Sequence, residues 1–263
     1  MNDHIITSPQ NPRIKELISL GAKSSERRKR GLFLVEGARE CRAVSKAGYL
    51  FETLFWVPEI ADKEFVSSIK AESLIQISPQ LYEKIAYRGT TEGIIAIVRQ
   101  KELKLTDIKL SNNPLIIVLE SVEKPGNLGA VLRTADAAKA DAVIVCEPLT
   151  DIYNPNTIRS SLGGLFTNQV ATCSSEEAYE WLKENQISIF TAELQASEWY
   201  HLTNMSGPMA IVMGTEADGL KDFWRERADK RIKIPMRGEL DSLNVSVSTA
   251  IICFEALRQR DFN

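Results

Sequence analysis

The chain has 263 residues, 44% of them apolar and 25% charged, with a net charge of −3, enough for the core of one large domain or two modest ones. No apolar run approaches the roughly 20 residues of a membrane helix, and Met1-Asn-Asp-His-Ile5 lacks the basic-then-apolar layout of a secretory signal, so no membrane contact and a cytoplasmic location are expected. Cys41, Cys146, Cys173 and Cys253 are scattered, with no Cys-x-x-Cys pair, and His4 and His201 lie far apart, which argues against a disulfide framework, a metal site or Ser-His-Asp chemistry.

The charge is unevenly spread. Residues 1–110 carry 18 Lys+Arg against 14 Asp+Glu, and the remainder 14 against 21. The run Arg27-Arg28-Lys29-Arg30 is the most basic stretch and suggests a half that touches nucleic acid joined to a half with another task; a solvated helix face explains the run nearly as well.

In chain order, Asn11-Pro12 reads as an N-cap with proline at the first helical position, and Ile14, Leu17, Ile18 and Leu20 give the apolar stripe of a helical arm. A strand at Gly31–Val35 leads into a helix from Glu36 to about Lys46, with Ala38, Cys41 and Val44 at helical spacing. Strands at Thr53–Val57, Leu74–Ile77 and Ile94–Val98 alternate with helices around Asp62–Lys70 and Pro79–Ala86. Residues 1–100 thus read as a small β/α domain, and the polar stretch 101–113 as a linker.

Leu115–Leu119 is too continuously apolar for a half-exposed strand and opens a second unit, 114–263, as a buried parallel strand. Helices near Leu128–Lys139, Pro155–Leu162 and Ser175–Asn185 alternate with strands at Ala142–Cys146, Gln169–Ala171, Ile187–Thr191 and Met209–Met213. A short helix from Leu220, a strand at Ile232–Ile234 and a helix to about Arg260 complete it. The alternation predicts an α/β fold with a mostly parallel sheet covered on both faces.

Three loops carry the polar residues. In Glu120–Ala135, Asn127 sits where an N-cap belongs, after the turn of Pro125-Gly126. Arg133, less than two turns on, interrupts the apolar face of Ala130, Val131, Leu132 and Ala135; a surface pair with Asp136 is the plainer account of it. In Ile211–Leu220 a buried strand ends at Gly214, where a missing side chain lets backbone approach a ligand, with Glu216 and Gly219 following. In Ile232–Ala250, Asp241, Ser242, Asn244 and Ser246 crowd a helix entrance; Asn244 or Ser242 as a simple cap is the plainer account of one of them, but four exceed what one cap requires. Neither Gly-x-Gly-x-x-Gly nor a phosphate-binding Gly-x-x-x-x-Gly-Lys-Ser/Thr occurs.

Asn127-Leu-Gly-x-x-x-Arg133-Thr-Ala, Met213-Gly-Thr-Glu-x-x-Gly-Leu220 and Ile234-Pro-Met-x-Gly-x-x-Asp-Ser-Leu-Asn-Val-Ser246 closely resemble the three ordered motifs of the SpoU/TrmH family, the S-adenosylmethionine-dependent RNA ribose 2′-O-methyltransferases of the SPOUT superfamily. Phe33–Arg39 resembles, more loosely, the ribosomal-protein-like substrate-binding domain often fused in front. Ala217 stands where the family commonly has glycine. The resemblance implies a parallel sheet with a C-terminal trefoil knot, a homodimer, S-adenosylmethionine as cofactor, and RNA as substrate, ribosomal rather than transfer RNA. It implies catalytic positions at Asn127, Arg133, Glu216, Ser242 and Asn244. Gly214, Glu216, Gly219, Ile234, Met236, Leu243, Asn244 and Ser246 would bind the cofactor, and Arg27, Arg28, Lys29, Arg30, Arg39 and Arg133 the RNA.

Overall fold

The computed structural model describes residues 5–87, 92–195, 198–215 and 219–262. They form two compact units, one of Met1–Glu102 with Tyr153–Arg159 and one of Leu103–Ile152 with Ser160–Asn263.

The first unit comprises α1 (Pro12–Ala22), α2 (Ser24–Arg30), β1 (Leu32–Glu36), α3 (Ala38–Lys46), β2 (Phe51–Trp56), α4 (Lys63–Ser68), β3 (Ala71–Gln76), α5 (Pro79–Ile85) and β4 (Ile94–Arg99). Its sheet runs β1-β4-β2-β3, with β4 antiparallel to both neighbours and β2 parallel to β3. The start of α1 is as the sequence predicts: Asn11 Oδ1 accepts from the Arg13 N–H at 2.9 Å, and Pro12 fills the first turn. Ile14, Leu17 and Leu20 are buried against Phe55, Leu81 and Ile97, whereas Ile18 stays exposed.

The basic run is not one surface. The arm breaks at the extended Lys23, and α2 ends on Gly31 in the left-handed region (φ 62°), which glycine adopts without a Cβ penalty. Arg27 is buried, and its guanidinium donates to the carbonyls of Leu20 (2.7 Å) and Gly21 (3.2 Å). Those carbonyls at the end of α1 lack partners within their own helix, and a charged donor satisfies them. Arg27 is therefore a structural arginine and does not offer itself to RNA, contrary to the expectation from sequence. Arg30 is engaged by Glu16, while Arg28, Lys29 and Arg39 point to solvent.

The second unit contains β5 (Leu115–Glu120), α6 (Pro125–Ala137), β6 (Ala142–Cys146), α7 (Pro155–Ser160), α8 (Gly164–Thr167), β7 (Val170–Cys173), α9 (Ser175–Glu184), β8 (Ser188–Ala192), β9 (Glu198–Trp199), β10 (Met209–Met213), α10 (Asp222–Arg227), β11 (Lys230–Lys233) and α11 (Val245–Gln259); most of α7 belongs to the first unit. The seven strands run β7-β6-β5-β10-β8-β11-β9, every pair parallel. All residues of β5, β6 and β10 are buried, as strands covered on both faces require. One face packs Ile116, Ile144 and Val212 with Leu182 and Trp224, whose indole N–H donates to Ser175 Oγ at 3.0 Å. On the same sheet α11 packs against both α6 and β10. Most of the stretch 101–113, from Leu103 on, is built into this unit: Thr172 N–H donates to Leu103 O at 2.9 Å, and Leu105, Ile108 and Leu110 pack on the core.

The carboxyl end of α11 is clasped to the rest of the unit. Arg260 donates to the carbonyls of Met205 (3.1 Å), Asn113 (2.9 Å) and Gly207 (2.5 Å), while Gln259 accepts from Met205 N–H (2.7 Å) and donates to Thr203 O (3.0 Å). One guanidinium thus satisfies carbonyls that no helix or strand would serve. Replacing Arg260 by Ala is expected to cost about 2–3 kcal/mol, seen as a lower urea midpoint. Arg260→Lys recovers little, because an ammonium lacks the planar fork that spans these carbonyls. An unchanged midpoint in Arg260→Ala would remove the clasp from the account.

Candidate functional site

The carboxyl ends of β5, β10, β8 and β11 share one edge of the sheet, where open parallel sheets leave room for ligands. After β5 the chain turns through Ser121 (φ 51°) to α6. The helix starts at Pro125, where a missing N–H costs nothing, and Lys124 holds the cap position. Asn127 therefore lies inside the first turn and is not the cap expected from the sequence. Its Oδ1 accepts from the Asn244 amide at 3.2 Å.

Asn244 is the cap of α11: its Oδ1 accepts from Ser246 N–H (3.0 Å) and Ser246 Oγ (2.6 Å). At the end of β10, Thr215 and Gly219 exchange backbone hydrogen bonds of 3.0 and 3.2 Å, closing a tight loop. A Cβ on Gly214 would lie 2.2 Å from the Gly219 carbonyl carbon, so only glycine fits there. Glu216, expected to be catalytic and cofactor-binding, lies outside the described residues.

These corners enclose two cavities. The larger, about 710 Å³, is walled by Gly214, Gly219, Ile234, Met236, Ser242 and Leu243 among others; the smaller, about 80 Å³, by Glu120, Lys124 and Asn127. They share Gly214, Thr215 and Val245. Six of the expected residues thus converge on one cavity, and the Asn127–Asn244 hydrogen bond ties the other to it. Ser246 lines neither; it turns toward Asn244, and Ser248 takes the wall instead. Arg133 is exposed on α6, lines neither cavity, and makes no hydrogen bond or ion pair among the described residues. Its plainer partner, Asp136, accepts instead from Thr167 Oγ1 at 2.6 Å.

Sequence reasoning missed the wall after β8, Ala192–Gln195, together with Trp199. The available signal was position alone, since this stretch follows a buried parallel strand just as the three recognised loops do. Within it Glu193, its side chain 6% exposed, sits between Arg231 (2.7 Å) and Arg225 (3.1 Å) and accepts from Thr191 Oγ1 (2.7 Å). Burial acts to raise its pKa, but the hydrogen bonds from Arg231, Thr191 and Arg225 outweigh that and hold the carboxyl below the usual range. Glu120 shows the reverse. Burial pushes its carboxyl up, and the Lys221 N–H (2.9 Å) and charge oppose this only in part, with Glu147 adding repulsion.

A parallel α/β sheet with a roomy cavity at its strand ends, one wall of bare backbone and a few convergent polar groups, defines a small-molecule-binding domain of the covered-sheet class. Residues 114–254 match the SpoU rRNA Methylase family, and residues 11–96 the MRM3-like substrate binding domain. The chain belongs to the SpoU rRNA methylase family. The 23S rRNA (guanosine-2'-O-)-methyltransferase RlmB of Haemophilus ducreyi is 35% identical over 195 residues, covering 72% of this chain and 79% of its own. Among solved structures, an RNA 2'-O ribose methyltransferase is 38% identical with a TM-score of 0.84, covering 98% of this chain and 99% of that one. The AdoMet-bound rRNA methyltransferase from Sinorhizobium meliloti is 27% identical with a TM-score of 0.88, covering 97% of each.

The Glu193 cluster yields a test of the cavity wall. Because the folded-state pKa is lowered, its stabilisation is present above the unfolded pKa and is lost as the pH falls through the lowered value. Glu193→Gln is expected to cost about 1–2 kcal/mol near neutrality, nearer the lower figure because solvent screens the part-exposed arginines. Denaturation midpoints of parent and variant should converge on acidification; a gap independent of pH would show that the carboxylate charge is not what holds the wall.

Proposed function

We propose that the protein is a cytoplasmic, S-adenosylmethionine-dependent methyltransferase acting on a ribose 2′-hydroxyl of ribosomal RNA. The observation that carries this reading is the Asn127–Asn244 hydrogen bond, which joins the first and third motif corners next to Val245, a residue common to both cavities. Family membership and the activities named for the relatives support it.

The large cavity suits the donor. Its volume lies within the range of small-molecule sites, Ile234, Met236 and Leu243 supply apolar walls, and the backbone at Gly214 and at Gly219 comes so close that a Cβ on Gly214 has no room. When bound, S-adenosylmethionine supplies an electrophilic methyl group on sulfonium. The chain's part is to align the ribose oxygen with that methyl and to help a proton leave. Asn127, Ser242 and Asn244 hold the ribose in register; Gly219 shapes the donor side, and Ser246 acts through the Asn244 cap. Arg133, exposed and uncommitted, orients the phosphate next to the reacting sugar and stabilises charge developing on oxygen. A guanidinium holds its charge across the range in which proteins fold, so its role is electrostatic rather than that of a base.

The first unit grips the RNA, with exposed Arg28, Lys29 and Arg39 and the half-exposed Arg30 supplying phosphate contacts. The C-terminal segment forms a trefoil knot. In support, the chain leaves β11 near one edge of the sheet, yet α11 packs on β10 and α6. The working form is a homodimer, supported by Leu243, Val247 and Phe254, which leave about two-fifths of each residue exposed along one side of α11 and its entrance.

Arg133→Ala is expected to lower transfer of labelled methyl to 23S ribosomal RNA by roughly 100-fold or more, with donor affinity by calorimetry nearly unchanged. Equal losses of both would refute the role given to Arg133. Mapping the product to a base instead of a 2′-oxygen would overturn the reaction itself. Sedimentation should give a dimer that Val247→Glu with Phe254→Glu converts to monomer; a monomeric parent chain would remove the dimer.

A further inference from the structure

Outside that site the most exposed aromatic ring beside a cation is Tyr87, just past the end of α5. It is 70% exposed, and the Arg159 guanidinium carbon lies 3.3 Å from its ring centroid, within the first unit. Both partners are held in place. The Tyr87 N–H donates to Glu36 at 3.0 Å, and Arg159 donates to Asn156 Oδ1 at 2.6 Å. A core ring would be covered; this one is fixed by its backbone, has a flat cation against it, and remains open to water. A cation over an aromatic face is a favourable pair, and an open aromatic face is what an unpaired base stacks on.

We propose that Tyr87, backed by Arg159, is a stacking platform for an unpaired nucleobase of the substrate RNA. The proposal rests on the RNA-substrate reading above and extends it to a site away from the methyl donor. Three observations favour RNA over a protein partner. Tyr87 lies within the stretch matching a substrate-binding domain, the same unit presents Arg28, Lys29 and Arg39 to solvent for phosphates, and one ring flanked by a cation is too small for a protein interface. Stacking tolerates any base, so the platform reads the presence of a splayed-out nucleotide and not its identity.

The test is equilibrium binding, without S-adenosylmethionine, to an in vitro 23S ribosomal RNA transcript and to a blunt RNA duplex. Tyr87→Ala and Tyr87→Leu are expected to weaken transcript binding on the order of 10-fold, and Tyr87→Phe to restore it. Duplex binding should not move, and the loss should be equal at low and high salt, because no phosphate contact is removed. Arg159→Ala should weaken binding in the parent but add little in a Tyr87→Ala chain. Unchanged transcript binding in Tyr87→Ala, failure of Tyr87→Phe to restore it, or strict additivity with Arg159→Ala would each overturn the platform. A parent chain that binds the transcript without methylating it would instead count against the proposed reaction.

Discussion

One side chain, Asn244, holds the site together. Its Oδ1 caps α11 through the Ser246 N–H, and its Nδ2 reaches across to Asn127 in the first turn of α6. A capping interaction alone contributes about 1 kcal/mol, which any serine could supply. An amide can accept at one end and donate at the other, and this one spends both ends on holding two helix entrances at hydrogen-bond distance. Because α11 packs on α6 and β10, the start of α11 also sets where the segment 234–243 crosses the cavity mouth. The polar corners are thus a consequence of how two buried helices begin.

Most of the architecture was legible because burial writes itself into the chain. Leu115–Leu119, Ala142–Cys146 and Met209–Met213 are apolar without interruption, and each lies in a fully buried parallel strand. Helix starts with a proline at the first position were equally plain at Pro12 and Pro79. The same rule exposes the error at Asn127: Pro125 already marks the first helical residue, which leaves the asparagine inside the helix. What escaped was contact without periodicity. Nothing in the run Arg27–Arg30 distinguishes the residue that folds back on the end of α1 from its neighbours, because the distinction comes from the chain break at Lys23. Strand order was equally invisible, since β10 inserts between β5 and β8 across long intervals of sequence.

The two cavities differ in kind. One stretch of the larger one's wall has its hydrogen bonds made within the chain itself. Glu193 is saturated by Thr191, Arg225 and Arg231, and the Thr215–Gly219 backbone is paired with itself. That stretch offers shape and backbone edges, which suits an apolar ring system, while Lys233, Asp241 and Ser242 bring polar groups elsewhere on the wall. The smaller one is lined by Glu120, Lys124 and Asn127, with the Glu120 carboxyl pushed up by burial. The two cavities adjoin at Gly214, Thr215 and Val245, and of these Gly214 alone brings no side chain to the boundary.

The same logic of saturation sorts the arginines, which composition treats as equal. Arg27 and Arg260 are committed to main-chain carbonyls, and Arg225 and Arg231 to a buried carboxylate. A guanidinium so engaged would have to break those bonds before meeting a phosphate, and charge-assisted bonds are among the strongest the fold makes. Arg133 has no such partner among the described residues, although Asp136 lies only three residues along the same helix. An i,i+3 ion pair is worth only a few tenths of a kcal/mol, so its absence costs the fold little. The freedom of Arg133 is therefore inexpensive to maintain, and a polyanion approaching α6 meets a full, unshared positive charge less than two turns from Asn127.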